Sequence, residues 1–306
     1  MSIPVHTPVA SLRVFLESIV DYAGLFPPAS LEMRECVANY AQYLAGPHGW
    51  ALGRFIVPAS RLQEFAEARA AVPGGQWRIS ATISGDIAAE LDLVEQFNAR
   101  SKNAAADCVE LRVSAVREVD RACALRPCGI AIFFEIAPER AAELLPFLSH
   151  SGAHAKLRTG GVVESAFPEL ERVTDFIACC AELGLAFKAT AGLHHPLRCV
   201  RALTYEPESP TGAMHGFLNL FTAAAMAWSA VLAGREVPRE TLATCLADSD
   251  FSDWHFEDDG LTWSGDEEPV RFDLGELRAV RQRFALSFGS CSFQEPIEEL
   301  HEMNLL

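Results

Sequence analysis

Short runs of β-branched and aromatic residues alternate with longer stretches of helical periodicity between residue 19 and about residue 234. Such runs are typical of buried strands, and apolar residues three and four apart are typical of one helix face. The alternation predicts repeated βα units on a parallel sheet. The eight expected strands cover residues 19–24, 54–58, 78–83, 108–113, 129–136, 155–158, 186–191 and 216–220.

Eight strands that alternate with helices predict a (β/α)8 TIM barrel over about residues 19–234, and an open doubly wound sheet is the alternative. After Gly234 the rhythm ends. Residues 254–263 alternate around Asp259-Gly260 like a hairpin, and a helix is expected over about residues 274–288, before a polar loop and a short helix. Because no low-complexity linker intervenes, residues 235–306 are expected to pack on the barrel as an appendage, within one domain over residues 1–306.

Composition narrows the partners. Half of the residues are apolar and 22% are charged, which excludes global disorder. A formal net charge of −16 disfavours nucleic acids and anionic membrane surfaces. The N-terminal segment lacks the pattern of an export signal, and the most apolar run, residues 217–233, contains Asn219. The nine cysteines include no CxxC pair and are expected to be reduced thiols, which predicts a cytoplasmic protein. With polyanions disfavoured, the expected partner is a small molecule.

Charged residues interrupt the predicted strands. Residues two apart lie on the same face of a strand. Glu110 therefore shares a face with Arg112, Lys156 with Arg158, and Lys188 with Thr190, while Glu135 ends the fifth strand. Charges inside strands are costly unless they are paired or functional, and the carboxyl ends of barrel strands hold catalytic groups. A mutually compensating ion network without chemistry is one explanation. A reactive amine is the other, because one ammonium favours the neutral form of a neighbouring lysine.

Several motifs, in order along residues 19–195, resemble the class I aldolases of the deoxyribose-phosphate aldolase type. The segment VDYAGLFPPAS resembles the family's first strand and places Asp21 at its acidic position, and RFIVPASRL resembles the family's second strand. CVELRVS resembles the fourth strand, with Glu110 at the position of the family's catalytic Asp. IFFEI resembles the fifth strand, with Glu135 in register. KLRTGG, at residues 156–161, resembles the Schiff-base motif Lys-x-x-Thr-Gly. KATAG, at residues 188–192, resembles the second-lysine motif.

The resemblance implies a lyase that makes or breaks a carbon–carbon bond without a cofactor. It implies that Lys156 forms the Schiff base, Lys188 lowers the pKa of Lys156, and Glu110 moves protons. Three features depart from the family: Arg158 replaces a small residue, Glu110 is longer than Asp, and the predicted eighth strand lacks a Gly-Ser phosphate site. We therefore expect any anionic handle of the carbonyl substrate to be a carboxylate bound by Arg158. Further candidate binding residues are Asp21, Arg112, Glu135, Thr159, Gly160, Gly161, Thr190 and Gly192.

Histidines offer a second interpretation. His194, His195 and His215 lie in predicted loops and, with Glu135, are residue types that bind zinc or iron, which would favour a metal-dependent lyase or isomerase. His194 and His195 are otherwise candidates for substrate binding, as is Asn219. A third interpretation is a catalytically silent barrel that binds partners through the acidic hairpin and its tryptophans. The sequence leaves open the substrate, the direction of reaction and whether the chain forms a homo-oligomer.

Overall fold

The barrel is closed by eight parallel strands. The computed structural model describes residues 7–306, so residues 1–6, which begin the N-terminal segment discussed above, lie outside it. The order around the barrel is β1-β13-β7-β6-β5-β4-β3-β2, which confirms the predicted (β/α)8 class over an open sheet. The strands are β1 Val20–Tyr22, β2 Leu52–Pro58, β3 Trp77–Ile83, β4 Ala104–Val113, β5 Ala131–Ile136, β6 His154–Arg158, β7 Phe187–Thr190 and β13 Ala285–Ser290.

Helices cover the outside of the barrel and bury apolar faces against it. Six of them, α2 to α7, connect the successive strands β1 to β7. The helices are α1 Ala10–Leu16, α2 Met33–Ala45, α3 Leu62–Ala70, α4 Ile87–Arg100, α5 Val116–Leu125, α6 Ala141–Ser151, α7 Leu170–Glu182, α8 Phe217–Leu232, α9 Arg239–Ala247, α10 Leu274–Arg283 and α11 Gln294–Glu302. Within residues 7–306, no helix is both long enough and apolar enough to cross a membrane.

The eighth strand differs from the sequence prediction. Residues 216–220, predicted as a strand, instead begin α8, in which residues 217–227 are all buried. A short apolar run that is buried on every side has no period that separates strand from helix, which explains the error. The eighth strand is β13, which pairs with β1 through Phe288 and Val20 and with β7 through Ala285 and Phe187. The closing strand of the barrel therefore lies within residues 235–306, which the sequence assigned to an appendage.

A long excursion separates β7 from β13. It contains an antiparallel hairpin, β8 Cys199–Ala202 and β9 Thr211–Met214, then α8, α9 and a three-stranded sheet. The sheet strands are β10 Trp254–Phe256, β11 Gly260–Trp263 and β12 Val270–Asp273, and the pairing of Trp254 with Trp263 confirms the predicted hairpin. Both tryptophans are buried, and their indole N–H groups donate to Thr222 and Asp248. They therefore stabilise the excursion and do not form the exposed contact surface of the scaffold interpretation.

Candidate active site

Five charged side chains converge inside the barrel, each from a different strand. They are Asp21 on β1, Glu110 on β4, Glu135 on β5, Lys156 on β6 and Lys188 on β7, and all five are buried. The strand register places Lys156 beside Lys188 on one side and beside Glu135 on the other. Because residues in register on parallel strands point to the same face, the register itself brings the two lysines together.

Lys156 is held between two carboxylates. Its Nζ lies 2.8 Å from Glu110 Oε2 and 2.9 Å from Glu135 Oε2. The side chain is 8% exposed and lines a cavity of the barrel. A carbonyl compound that enters this cavity can therefore reach the amine.

Lys188 lies deeper and is fixed by different partners. Its Nζ donates to Asp21 Oδ2 and to Glu110 Oε1, both at 2.6 Å, and its side chain is 1% exposed. Burial alone would lower the pKa of Lys188, but the charges of Asp21 and Glu110 outweigh burial and raise it above its usual value. Lys188 does not line the cavity. It is therefore a permanent cation behind the accessible amine.

Glu110 connects the two lysines. One carboxylate oxygen, Oε1, accepts hydrogen bonds from Lys188 and from Ser80 Oγ, the latter at 2.5 Å, and the other faces Lys156. Burial would raise the pKa of Glu110, but Lys156 and Lys188 hold it well below the usual range of a carboxyl group. The resting site therefore has an ionised carboxylate in contact with both amines.

Asp21 anchors this network from the first strand. Its Oδ1 accepts the backbone N–H of Arg54 at 2.7 Å, and its Oδ2 accepts Ser287 Oγ at 2.8 Å as well as Lys188. Ser287 belongs to β13, so the true eighth strand supplies part of the network. The carboxylate is fully buried and does not line the cavity, which makes it a positioning group for Lys188.

The cavity above Lys156 has a volume of about 460 Å³. Several predicted site residues line it, namely Glu110, Arg112, Glu135, Lys156, Arg158, Gly161, Thr190, Gly192 and His194. Others lie outside its wall, namely Asp21, Thr159, Gly160, Lys188, His195 and Asn219. Lining residues outside the predicted set include Thr82, Phe167, Leu203 and Met214, whereas Gly289 and Cys291 belong to the polar FGSCSFQEP loop, which the sequence predicts to enclose the substrate. Leu203 and Met214 come from the hairpin region, which no sequence prediction included.

Thr159 and Gly160 shape the turn that follows Lys156. The Thr159 hydroxyl donates to the Ala191 carbonyl at 2.5 Å, which ties the β6 loop to the β7 loop. A Cβ at Gly160 would lie 2.9 Å from Gly192 Cα and closer still to the Phe167 ring. These two positions therefore serve close packing of the loops and lie outside the cavity wall.

The two arginines at the mouth have different environments. Arg158 Nε lies 2.8 Å from Glu135 Oε1, so its guanidinium is already paired. Arg112 is exposed, lines the cavity, and has no hydrogen bond or ion pair within the described residues 7–306. Its donors are therefore available for an anionic ligand, whereas the sequence analysis assigned that role to Arg158.

The three histidines do not form the proposed metal cluster. His194 Nδ1 lies 2.6 Å from Glu295, His195 Nδ1 lies 2.5 Å from Glu299, and His215 Nε2 contacts the Pro168 carbonyl at 2.8 Å. Burial lowers the pKa of His215 to about 4. Glu135 is bound to Lys156 and Arg158, and the described part of the chain holds no group of three His, Cys, Asp or Glu side chains suited to a metal.

Asn219 is a structural amide and not a substrate ligand. It is fully buried in α8; its Nδ2 donates to the carbonyls of Cys245 and Asp248 at 2.7 and 2.8 Å, and its Oδ1 accepts the Arg198 N–H at 2.9 Å. The side chain thus fixes α8 to the C-terminal end of α9 and to the loop before β8. The expectation that it binds substrate arose from the misplaced eighth strand.

Asn219→Ala is expected to lower the free energy of unfolding by about 2–4 kcal/mol, because it leaves one buried and two half-buried backbone groups without their side-chain partner. Urea denaturation of the wild type and the variant measures this difference. The chemistry at Lys156 should be unchanged in the folded variant. A loss below about 1 kcal/mol would show that water replaces the amide.

The correction of the eighth strand also affects the expected anion site. Residues 214–225 contain no Gly-Ser pair, but the true eighth strand, β13, ends in Gly289-Ser290. Ser290 Oγ accepts the Ser292 N–H at 3.3 Å, and Ser292 Oγ accepts the Glu295 N–H at 3.2 Å. The eighth strand therefore does carry a Gly-Ser pair, and a phosphate handle is as compatible with this strand end as a carboxylate.

Comparisons with known proteins give a structural likeness and no match to a family. No family model matches the chain, and no curated protein matches it. Among solved structures, the chain is similar to a deoxyribose phosphate aldolase from Aeropyrum pernix, described as having a unique tetrameric structure. The TM-score is 0.42 at 13% identity, over 60% of this chain and 80% of that one.

Proposed function

We propose that the protein is a lyase that makes or breaks a carbon–carbon bond of a small carbonyl compound through a Schiff base on Lys156. The observation that supports this most directly is the position of the Lys156 amine, which lies between two carboxylates at the wall of an accessible cavity, with a second lysine fixed behind it. An ion network with a purely structural role does not require a cavity above one of its amines.

The charge balance of the site suits this chemistry. Condensation of a carbonyl with the Lys156 ammonium gives an iminium and water, so the nitrogen carries one positive charge before and after. Glu110 and Glu135 can therefore pair with the iminium as they pair with the ammonium, which favours the protonated form. A protonated imine withdraws electrons, so a carbanion on the adjacent carbon is stabilised as an enamine.

Glu110 is proposed to move the protons of this condensation. The attacking amine must lose a proton, and the carbinolamine hydroxyl must gain one before it leaves as water. Glu110 Oε2 lies 2.8 Å from Lys156 Nζ, within reach of the proton of that amine. Its other oxygen stays bound to Lys188 and Ser80, which fixes the carboxylate in place.

Reductive trapping tests the proposal, and the composition makes the result easy to interpret. The chain contains only three lysines, and the third, Lys102, is exposed on the loop before β4. The protein is incubated with small aldehydes and ketones, reduced with borohydride, and digested for mass spectrometry. The expected product is one adduct on Lys156. Adducts confined to Lys102 and the N-terminal amine across the panel would refute the Schiff-base proposal.

Lys188→Met is expected to shift the pH–rate profile to higher pH. The Lys188 cation lies against Glu110 and lowers the pKa of that carboxyl group. Its loss raises the pKa of Glu110, so a higher pH is needed before Glu110 is ionised and can accept a proton. Trapping rates between pH 5 and 10 measure the shift. An unchanged profile in the folded variant would exclude a tuning role, and loss of trapping in Lys188→Met with trapping retained in Lys156→Met would reverse the assignments.

Arg112 is proposed to bind the anionic handle of a substrate. Arg112→Gln is expected to raise the half-saturating concentration of an anionic aldehyde in the trapping reaction by about 10- to 100-fold. This is the loss expected when one charged hydrogen-bonded pair is removed. Three aldehydes test which handle is preferred: glyoxylate carries a carboxylate, glycolaldehyde phosphate carries a phosphate, and glycolaldehyde carries no charge. Arg121→Gln, which removes a surface arginine paired with Asp86, is the control. If Arg158→Leu alone removes the preference for an anion, the handle lies at Arg158, as the sequence analysis expects.

A further inference from the structure

The thiol of Cys291 lines the same cavity as Lys156, although Cys291 lies near the end of the sequence. Cys291 directly follows β13, is 6% exposed, and lines the cavity together with Lys156 and His194. The carboxyl ends of barrel strands present groups to a bound ligand, and Cys291 stands at that end of the eighth strand. It is therefore a nucleophile at a ligand-accessible wall, and the proposed lyase chemistry does not use it.

Cys291 belongs to a connected chain of three groups. Its Sγ lies 3.8 Å from His194 Nε2, and His194 Nδ1 lies 2.6 Å from Glu295 Oε2 in the first turn of α11. A thiol beside an imidazole that a carboxylate orients is the arrangement that activates nucleophilic cysteines. Tyr205 also faces this thiol, with its hydroxyl 3.7 Å from Sγ.

The imidazole beside the thiol is held protonated. Burial alone would lower the pKa of His194, but Cys291 and Glu295 raise it to about 10. A histidine cation within hydrogen-bond distance of a sulfur is a general feature of reactive cysteines. Burial raises the pKa of Cys36, Cys108, Cys180 and Cys245, and within residues 7–306 no cysteine other than Cys291 has a histidine partner.

We propose that Cys291, His194 and Glu295 form a second covalent centre, at which the thiolate adds reversibly to the carbonyl carbon of an aldehyde. A carbon–sulfur bond forms as the carbonyl π bond opens, and the oxygen takes a proton from His194 Nε2. The product is a hemithioacetal with a neutral histidine, and Glu295 stays ionised throughout. Reversal of the same steps releases the aldehyde. The cavity would thereby hold an aldehyde beside Lys156 without consuming an oxidant or a second reactant.

Two N–H groups after Cys291 are already used. Acyl transfer requires N–H groups that stabilise a tetrahedral oxyanion. The N–H groups of Ser292 and Glu295 donate to the hydroxyls of Ser290 and Ser292. A hemithioacetal needs no such site, because His194 protonates the oxygen as the bond forms.

Limited alkylation with iodoacetamide tests whether the thiol is activated. Cys128 is exposed and serves as the comparison thiol. Alkylation of a free thiol in general slows about 75-fold between pH 8 and pH 6. The alkylation rate of Cys291 is expected to change less than 5-fold over the same pH range. At pH 6 it is expected to be at least 10-fold higher than the alkylation rate of Cys128. His194→Gln should remove this advantage. The matched control His195→Gln, which disrupts the neighbouring pair with Glu299, should retain it.

Protection from alkylation tests the aldehyde assignment. Glycolaldehyde is expected to slow alkylation of Cys291 in the wild type and in Lys156→Met, which cannot form an imine, and acetone is not. This outcome is independent of the Schiff-base proposal, since Lys156 is absent. A Cys291 that is no faster than Cys128 at pH 6, or an activated Cys291 that glycolaldehyde does not protect in Lys156→Met, would overturn the proposal. Release of nitrophenol from a p-nitrophenyl ester, without protection by aldehyde, would assign acyl transfer instead.

Discussion

Replacement of Lys156 by methionine is expected to reduce carbonyl trapping and carbon–carbon cleavage or formation below detection. Methionine keeps the unbranched shape of lysine but lacks the amine, so no imine can form. Lys188 does not replace it, because its Nζ is bound to Asp21 and Glu110 and lies outside the cavity wall. Borohydride trapping and turnover of the carbonyl compound identified in the panel measure the loss.

The variant is expected to fold, which makes the result interpretable. Without Lys156, Glu110 keeps its contact with Lys188, and Glu135 keeps its contact with Arg158. Each carboxylate thus retains one cation, and neither is left as an unpaired buried charge. Lys102→Met is the control, since it removes the exposed lysine and should leave turnover unchanged. Turnover in Lys156→Met within 10-fold of the wild type would exclude the proposed nucleophile.

The charged residues of the strands could be predicted because their positions conflict with the barrel pattern. Glu110, Lys156 and Lys188 occupy positions in buried strands where apolar residues are the rule. Consecutive βα units place successive strands side by side, so the pairing of Lys156 with Lys188 follows from sequence order. The period-two alternation then assigns Lys156 and Arg158 to one face, although it does not indicate that Glu135 pairs with Arg158.

The closing strand and the contacts of His194 with Cys291 and Glu295 could not be predicted by the same reasoning. The excursion after β7 separates Ala189 from its β13 partner Phe288, so neighbouring strands are no longer neighbours in sequence. His194 and Glu295 meet across 101 positions, and His194 and Cys291 across 97. Such contacts depend on how the excursion returns to the barrel, and local periodicity carries no information about that path. Once β13 is known, the FGSCSFQEP segment is recognisable as a strand end that leads into a helix.

Glu110→Gln is expected to lower turnover by about 10²–10⁴-fold, the contribution of a positioned general acid or base. Glutamine keeps the length and a hydrogen-bond acceptor but cannot accept the proton of Lys156. Asp21 still pairs with Lys188, and Glu135 still pairs with Lys156, so both amines keep one carboxylate partner. Turnover and the rate of trapping are measured in parallel with urea denaturation, which separates lost chemistry from lost stability.

Glu135→Gln provides the matched comparison, because Glu135 contacts the same Lys156 nitrogen at 2.9 Å. Glu135 differs from Glu110 in two respects: it contacts Arg158 at the cavity mouth, and it does not contact Lys188. If protons move through the carboxylate that links the two lysines, Glu110→Gln must be the slower variant by at least 10-fold. The reverse order would assign proton transfer to Glu135. Near-normal turnover in both variants would mean that the two carboxylates act as ion-pair partners alone.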